Sequence, residues 1–162
     1  MSSEKKDRNI SDHVRSLVHR VDEGLSAAVL TTVTPEGRPH AMWMGTMCSD
    51  DLSELLTVTS PDSRKVTNIR ANASVEWMFS DKDFEAIVYL RGHAVVVDDV
   101  ARVKDAWEQI GDMHRAFFLD YFNSGMGFVV IETEVDSIEV SFPRECRTEQ
   151  VPLVEPGGGG KA

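Results

Sequence analysis

The residues best suited to chemistry lie in one short stretch, "LLTVTSPDSRKVTNIRANASVEWMF", Leu55 to Phe79. It reads as a strand, a tight turn, a short helix opening at Ser63 and a further strand. Arg64 and Lys65 fall in the first helical turn, where the helix dipole is positive and favours anions over cations. Two explanations compete. Asp62 offsets the charges and both side chains reach into water, or an anion sits there and gathers a hydroxyl, a guanidinium, an ammonium and the free N–H groups. On the second reading Thr57, Val58, Thr59 and Ser60 deliver hydroxyls and backbone N–H groups at a strand end, and Ser63, Arg64 and Lys65 supply a cap and two charges. That is the donor set a phosphate monoester requires. Spacing alone leaves the two balanced.

Aromatic and soft side chains form the next group. Trp43 and Met44 could wall a flat heteroaromatic pocket, or both could be ordinary core residues, which the pattern favours. Trp77 and Trp107 read as core or interface. Arg91 and His93 flank Gly92 on one strand and share a face, to be solvated, paired with acids or set against a partner subunit.

Other chemistries lack a signature. The five histidines, His13, His19, His40, His93 and His114, show no ligand spacing, so no metal is expected. There is no GxSxG, GxGxxG or GxxxxGK[ST], and neither cysteine lies near a histidine. The terminal "GGGG" precedes no helix and reads as a tail.

These residues must be positioned by a chain of 162 residues, 41% hydrophobic and 27% charged, which fits one domain of about 1–152 with a flexible Gly-rich tail at 153–162. The first ten residues have no apolar h-region, no run approaches the ~20 apolar residues of a membrane span, and Cys48 and Cys146 are isolated, so a cytoplasmic protein is expected. Net charge is −10, nearly all of it after residue 70. Such a surface repels nucleic acid and anionic membranes, so any anion must be held locally in the first half.

Ser11 or Asp12 caps a first helix expected to run to about Asp22, with Val14, Leu17, Val18 and Val21 on one face. Strands follow at Leu25–Val33 and His40–Met47, joined by the "TPEGRP" turn, then at Leu55–Thr59, Ser74–Phe79 and Phe84–Val97. Gly92 marks a bulge in the last of these. Asp98 or Asp99 caps a second long helix with a stripe from Val100 through Trp107 to Tyr121, weakened at Gly111. Gly127–Val135 and Asp136–Phe142 are two final strands. Six or seven strands joined mostly by short turns predict a mainly β fold, an antiparallel barrel with helices outside, rather than a doubly wound sheet.

The order "AAVLTTVTPEGRPHAMWMG", then "LLTVTSPDSRKVTNIRANASVEWMF", then "IVYLRGHAVVVDD" resembles the FMN-binding split β-barrels related to pyridoxamine phosphate oxidase, closest to their general-stress-protein branch. It covers roughly Leu25 to Asp99, and the Thr-x-x-x-Ser-Arg-Lys segment followed by "NIRAN" is its most specific part. The resemblance implies a six-stranded split barrel of Greek-key type that forms a homodimer, with flavin sites at the interface. It implies that Arg64 and Lys65, with Ser63, bind the FMN phosphate, that Val58 and Thr59 run along the ribityl chain and ring, with Ser60 also among the cofactor-binding residues, and that Trp43 and Met44 lie on the strand backing the isoalloxazine. Two elements of the oxidase proper are absent. "WMGTMC" (Trp43–Cys48) carries neither cation of its Arg-x-Val-Leu-Leu-Lys segment, and "FPRECRTEQVP" has no Arg-x-His. Pyridoxamine phosphate oxidation is therefore not expected. The expectation is an FMN oxidoreductase acting on a small molecule with a donor such as NAD(P)H. A non-catalytic flavin carrier or stress sensor, a deazaflavin- or haem-binding relative and a ligand-free barrel are the alternatives. No residue demands an acid or base role.

Overall fold

The structure, a computed structural model, describes residues 2–19, 26–109 and 127–153. Its elements are α1 (Ser2–Val18), β1 (Ser26–Val33), β2 (Pro39–Cys48), β3 (Glu54–Thr59), α2 (Arg64–Ala71), β4 (Ser74–Ser80), β5 (Ile87–Val97), α3 (Val100–Gln109), β6 (Val129–Phe142), a 3₁₀ turn at Pro143–Glu145, and β7 (Arg147–Val151).

All strand pairs are antiparallel, in the order β3-β2-β1-β4-β5-β6-β7, and β3 also pairs with β6. Six strands thus close into a barrel, and β7 extends it from β6. The first four strands stand in the order β4-β1-β2-β3, a Greek key, with α2 in the connection that carries the chain back to β1. Pairing with β6 along its whole length removes the free edge that β3 would otherwise present.

Alternation of side chains along each strand fills the barrel. Ala28 and Leu30 of β1, Val75, Trp77 and Phe79 of β4, and Val88 and Leu90 of β5 are buried in one cluster. α1 adds Val14, Leu17 and Val18 to it at helical spacing. Each such large side chain contributes roughly 1.5–3 kcal/mol on burial. Trp77 is fully buried and donates its indole N–H to Thr133 Oγ1 at 3.1 Å, so its one polar atom is satisfied. A second cluster lies outside the barrel, where Ala106, Val103 and Trp107 of α3 cover Leu56, Val58 and Val130. This explains why β3 is buried on both faces.

Several boundaries differ from the sequence expectation. α1 begins at Ser2, not at Ser11 or Asp12, because the preceding Glu, Lys and Arg residues are good helix formers and contain no breaker; Val21 and Asp22 lie outside the described residues. β5 begins at Ile87 because Phe84 takes a left-handed φ of 54° and Asp81 accepts the Glu85 and Ala86 N–H groups. Asp99 accepts the Arg102 N–H at the start of α3; Ile110, Gly111, Phe117 and Tyr121 are outside the described residues. The two expected final strands are one continuous β6, and β7 was not anticipated.

The bulge at Gly92 is present. The β5–β6 register shifts between Arg91 and Gly92, and a Cβ on Gly92 would stand 1.8 Å from the Glu134 carbonyl oxygen. Asp136 sits at the shift and reaches His93 Nδ1 at 2.6 Å, while Arg91 binds Glu76 at 2.6 Å and Glu139 at 3.3 Å. The Arg91–His93 face is therefore paired with acids.

Candidate functional site

β3 delivers Thr59 to the mouth of the barrel, and a tight turn follows in which the Ser63 N–H donates to the Ser60 carbonyl at 3.1 Å. This places Ser63 at the N-cap of α2, in extended backbone, with its side chain making no cap hydrogen bond. Val66 N–H donates to the Ser63 carbonyl, whereas the Arg64 and Lys65 N–H groups have no acceptor among the described residues. The first turn holds no acidic residue.

Lys65 Nζ donates to Thr59 Oγ1 at 3.2 Å, and Thr59 Oγ1 lies 3.4 Å from Ser63 Oγ. Burial pushes the Lys65 ammonium below the usual lysine range, because the charged form loses water without gaining a counter-charge. Arg91, Arg102, Arg144 and Arg147 each hold a carboxylate. Among the described residues, Arg64 and Lys65 hold none, and Asp62 pairs with neither. The local-neutralisation explanation for the two cations thus has no support in the geometry. Thr59, Ser63 and Lys65 are brought together by these two contacts, while the Arg64 side chain turns toward His40.

The remaining candidates are placed differently. Thr57 is buried and spends its hydroxyl on the Gly45 carbonyl at 2.6 Å. Val58 points its side chain under α3, away from the Lys65 side of the strand, and Ser60 contributes its carbonyl to the turn. Trp43 and Met44 are neighbours on β2 and so face opposite ways. Met44 packs against the barrel core, and Trp43 is 73% exposed on the outer face, so the two do not form one wall. Trp43 is therefore not the core residue that its pattern favoured.

The sequence reading missed His40 and its surroundings. Arg64 NH1 lies 3.4 Å from His40 Nε2. A guanidinium only donates, so Nε2 accepts and the ring proton falls on Nδ1, which is buried without a partner among the described residues. A cleft of about 650 Å³ opens here between the β1–β2 turn and the flank of α2, lined by Glu36, Arg38, His40, Arg64 and Asn68 among others. Only the β1–β2 register, which sets His40 opposite Thr32, brings His40 within reach of α2; no local motif signals it.

No curated protein is significantly similar to this chain in sequence. Solved structures share the fold. A protein related to general stress protein 26, from Clostridium acetobutylicum, is 17% identical with a TM-score of 0.67, the match covering 91% of this chain and 94% of that one. A pyridoxamine 5'-phosphate oxidase-related, FMN-binding protein from Nostoc punctiforme is 15% identical with a TM-score of 0.64, over 92% and 96% of the two chains. A protein described as an F420 reductase is 19% identical with a TM-score of 0.55, over 76% and 94%. The pyridoxamine 5'-phosphate oxidase family model matches residues 11–141. With most of its length so matched, and the barrel and its Ser-Arg-Lys turn in place, the chain belongs to the pyridoxamine 5'-phosphate oxidase family.

Proposed function

We propose that the chain binds flavin mononucleotide as a redox cofactor and serves as an oxidoreductase on a small molecule. The observation that carries this reading is a half-buried Lys65 beside Arg64 at a helix N-terminus, with no carboxylate among the described residues to neutralise either. A dianionic phosphate would supply the missing counter-charge and the acceptor for the Arg64 and Lys65 N–H groups. Likeness in fold to an FMN-binding protein supports the choice of flavin, and likeness to an F420 reductase favours a deazaflavin as the second reading.

In this reading Arg64, Lys65 and Ser63 hold the phosphate, and Thr59 orients the Lys65 ammonium. Bound flavin would supply the electron or hydride transfer itself. The protein then contributes anchoring, pocket shape and exclusion of water. The cations of the oxidase motif are absent from Trp43–Cys48, which argues for a substrate other than pyridoxamine phosphate. A homodimer completes the proposal. Trp43, Val29, Met78 and Tyr89 stand in register across four strands on the outer face of the barrel, none of them buried, and a second copy laid on this row would bring Trp43 to a cofactor site.

The test is flavin binding. Purified protein, loaded with FMN if necessary, should show bands near ~375 and ~450 nm that pass to the supernatant on denaturation. Replacing both Arg64 and Lys65 by alanine should weaken FMN by at least ~100-fold, since each charge-assisted contact contributes ~1.5–3 kcal/mol, and leave riboflavin affinity unchanged. An unaltered FMN dissociation constant in the double variant would sink the assignment. Steady-state turnover with NAD(P)H and an acceptor separates an oxidoreductase from a carrier.

A further inference from the structure

The cleft on the far side of Arg64 from Lys65 is not needed to hold a single phosphate. It measures about 650 Å³ and is lined by two arginines and a histidine, Arg38 from the β1–β2 turn, His40 from β2 and Arg64 from α2. Neither guanidinium holds a carboxylate among the described residues, in a protein of net charge −10. Glu36 is the one carboxylate of the lining and bonds neither cation.

The walls are pre-set. The Thr34 N–H donates to the Arg38 carbonyl at 2.8 Å, the Arg38 N–H donates to Thr34 Oγ1 at 3.2 Å, and Gly37 takes the positive φ of 80° that closes the turn. Arg38 therefore leaves a fixed backbone. Asn68, buried, bonds Thr32 and fixes the opposite wall. His40 Nδ1 is a buried donor still lacking an acceptor.

Unpaired cations on a rigid rim, beside a phosphate clamp that shares one of them, are suited to a second anion. We infer that this cleft binds a second phosphoryl or carboxylate group, carried on a hydroxyl-bearing body, through Arg38 and Arg64, with Glu36 accepting hydroxyl donors of that body. The inference deepens the flavin reading and rests on Arg64 and Lys65 holding the first phosphate. The second anion has two sources: an extension of the cofactor beyond its phosphate, or a separate nucleotide co-substrate bound beside it.

The experiment compares wild type with Arg38→Gln, using Arg144→Gln, remote and bound to Glu85, as the control. Inorganic pyrophosphate is titrated calorimetrically into flavin-free protein. It should bind wild type and the control alike and Arg38→Gln at least tenfold more weakly. FAD and NADP⁺ then distinguish the sources. If the anion belongs to the cofactor, FAD binds wild type more tightly than FMN does, and Arg38→Gln removes the advantage. If it belongs to a co-substrate, NADP⁺ binds FMN-loaded wild type and loses at least tenfold in Arg38→Gln. Equal pyrophosphate, FAD and NADP⁺ binding by wild type and Arg38→Gln, with the same melting temperature in both, overturns the inference. Failure of FMN to bind, with Arg38-dependent pyrophosphate binding intact, would instead overturn the flavin reading alone.

Discussion

The Asn68 side chain donates to Thr32 Oγ1 at 2.9 Å, with both residues almost fully buried. One bond thus ties the helix that carries Arg64 and Lys65 to the strand that carries the β1–β2 turn, and the distance between the phosphate clamp and the neighbouring cleft depends on it.

Asn68→Ala should therefore act on stability and on the site together. It leaves Thr32 with only a 3.4 Å bond to the His40 carbonyl, and loss of a buried partner costs about 1–3 kcal/mol. Urea unfolding should show that loss. FMN affinity should fall more than riboflavin affinity, because only the former depends on the placement of α2.

Lys65→Met should stabilise the ligand-free protein near neutral pH. The folded-state pKa of Lys65 lies below its unfolded value of 10.5, so the charged form opposes folding below the folded pKa. Between the two values the unfolded chain binds more protons than the native one, and wild-type stability rises with pH. The advantage of the variant should shrink as pH climbs through that window, read as the difference in melting temperature, where each kcal/mol is ~2–4 °C. Saturating FMN should reverse the order at pH 7, since a bound phosphate turns the uncompensated ammonium into a paired one.

Gly92→Ala should be severely destabilising. The added methyl would meet a backbone oxygen at 1.8 Å, which no rotamer can relieve, so β5 and β6 must separate or lose the bulge. Overpacking costs typically 1–3 kcal/mol and more where backbone is the obstacle. Chemical denaturation measures it; a loss under 1 kcal/mol would mean the bulge is softer than its geometry implies.

Thiol titration should find one reactive cysteine in the native protein. Burial, with Asp51 and Asp50 nearby, pushes the Cys48 thiol up to about 12, so it stays protonated at pH 8 and away from reagent. Cys146 is exposed. One equivalent of Ellman's reagent should react before denaturation and two after.

The sequence by itself determined the elements that rest on local physics. Strand alternation, the Pro- and Gly-marked turns, the Ser63 helix start and the Gly92 bulge all follow from side-chain period and backbone sterics within a few residues, and each is in place. The cluster of Thr59, Ser63 and Lys65 was legible for the same reason, since it lies within seven residues. Tertiary structure alone decided the rest. That Val58 faces α3, and that Trp43 lies on the outer face, depends on which side of each strand the barrel closes around. His40 and Arg38 join Arg64 only through the β1–β2 register and the Asn68–Thr32 tie, contacts between residues 24 to 36 positions apart. β7 forms because β6 offers it an edge beyond the closed barrel. No local pattern encodes contacts at that separation, because closure of the chain creates them.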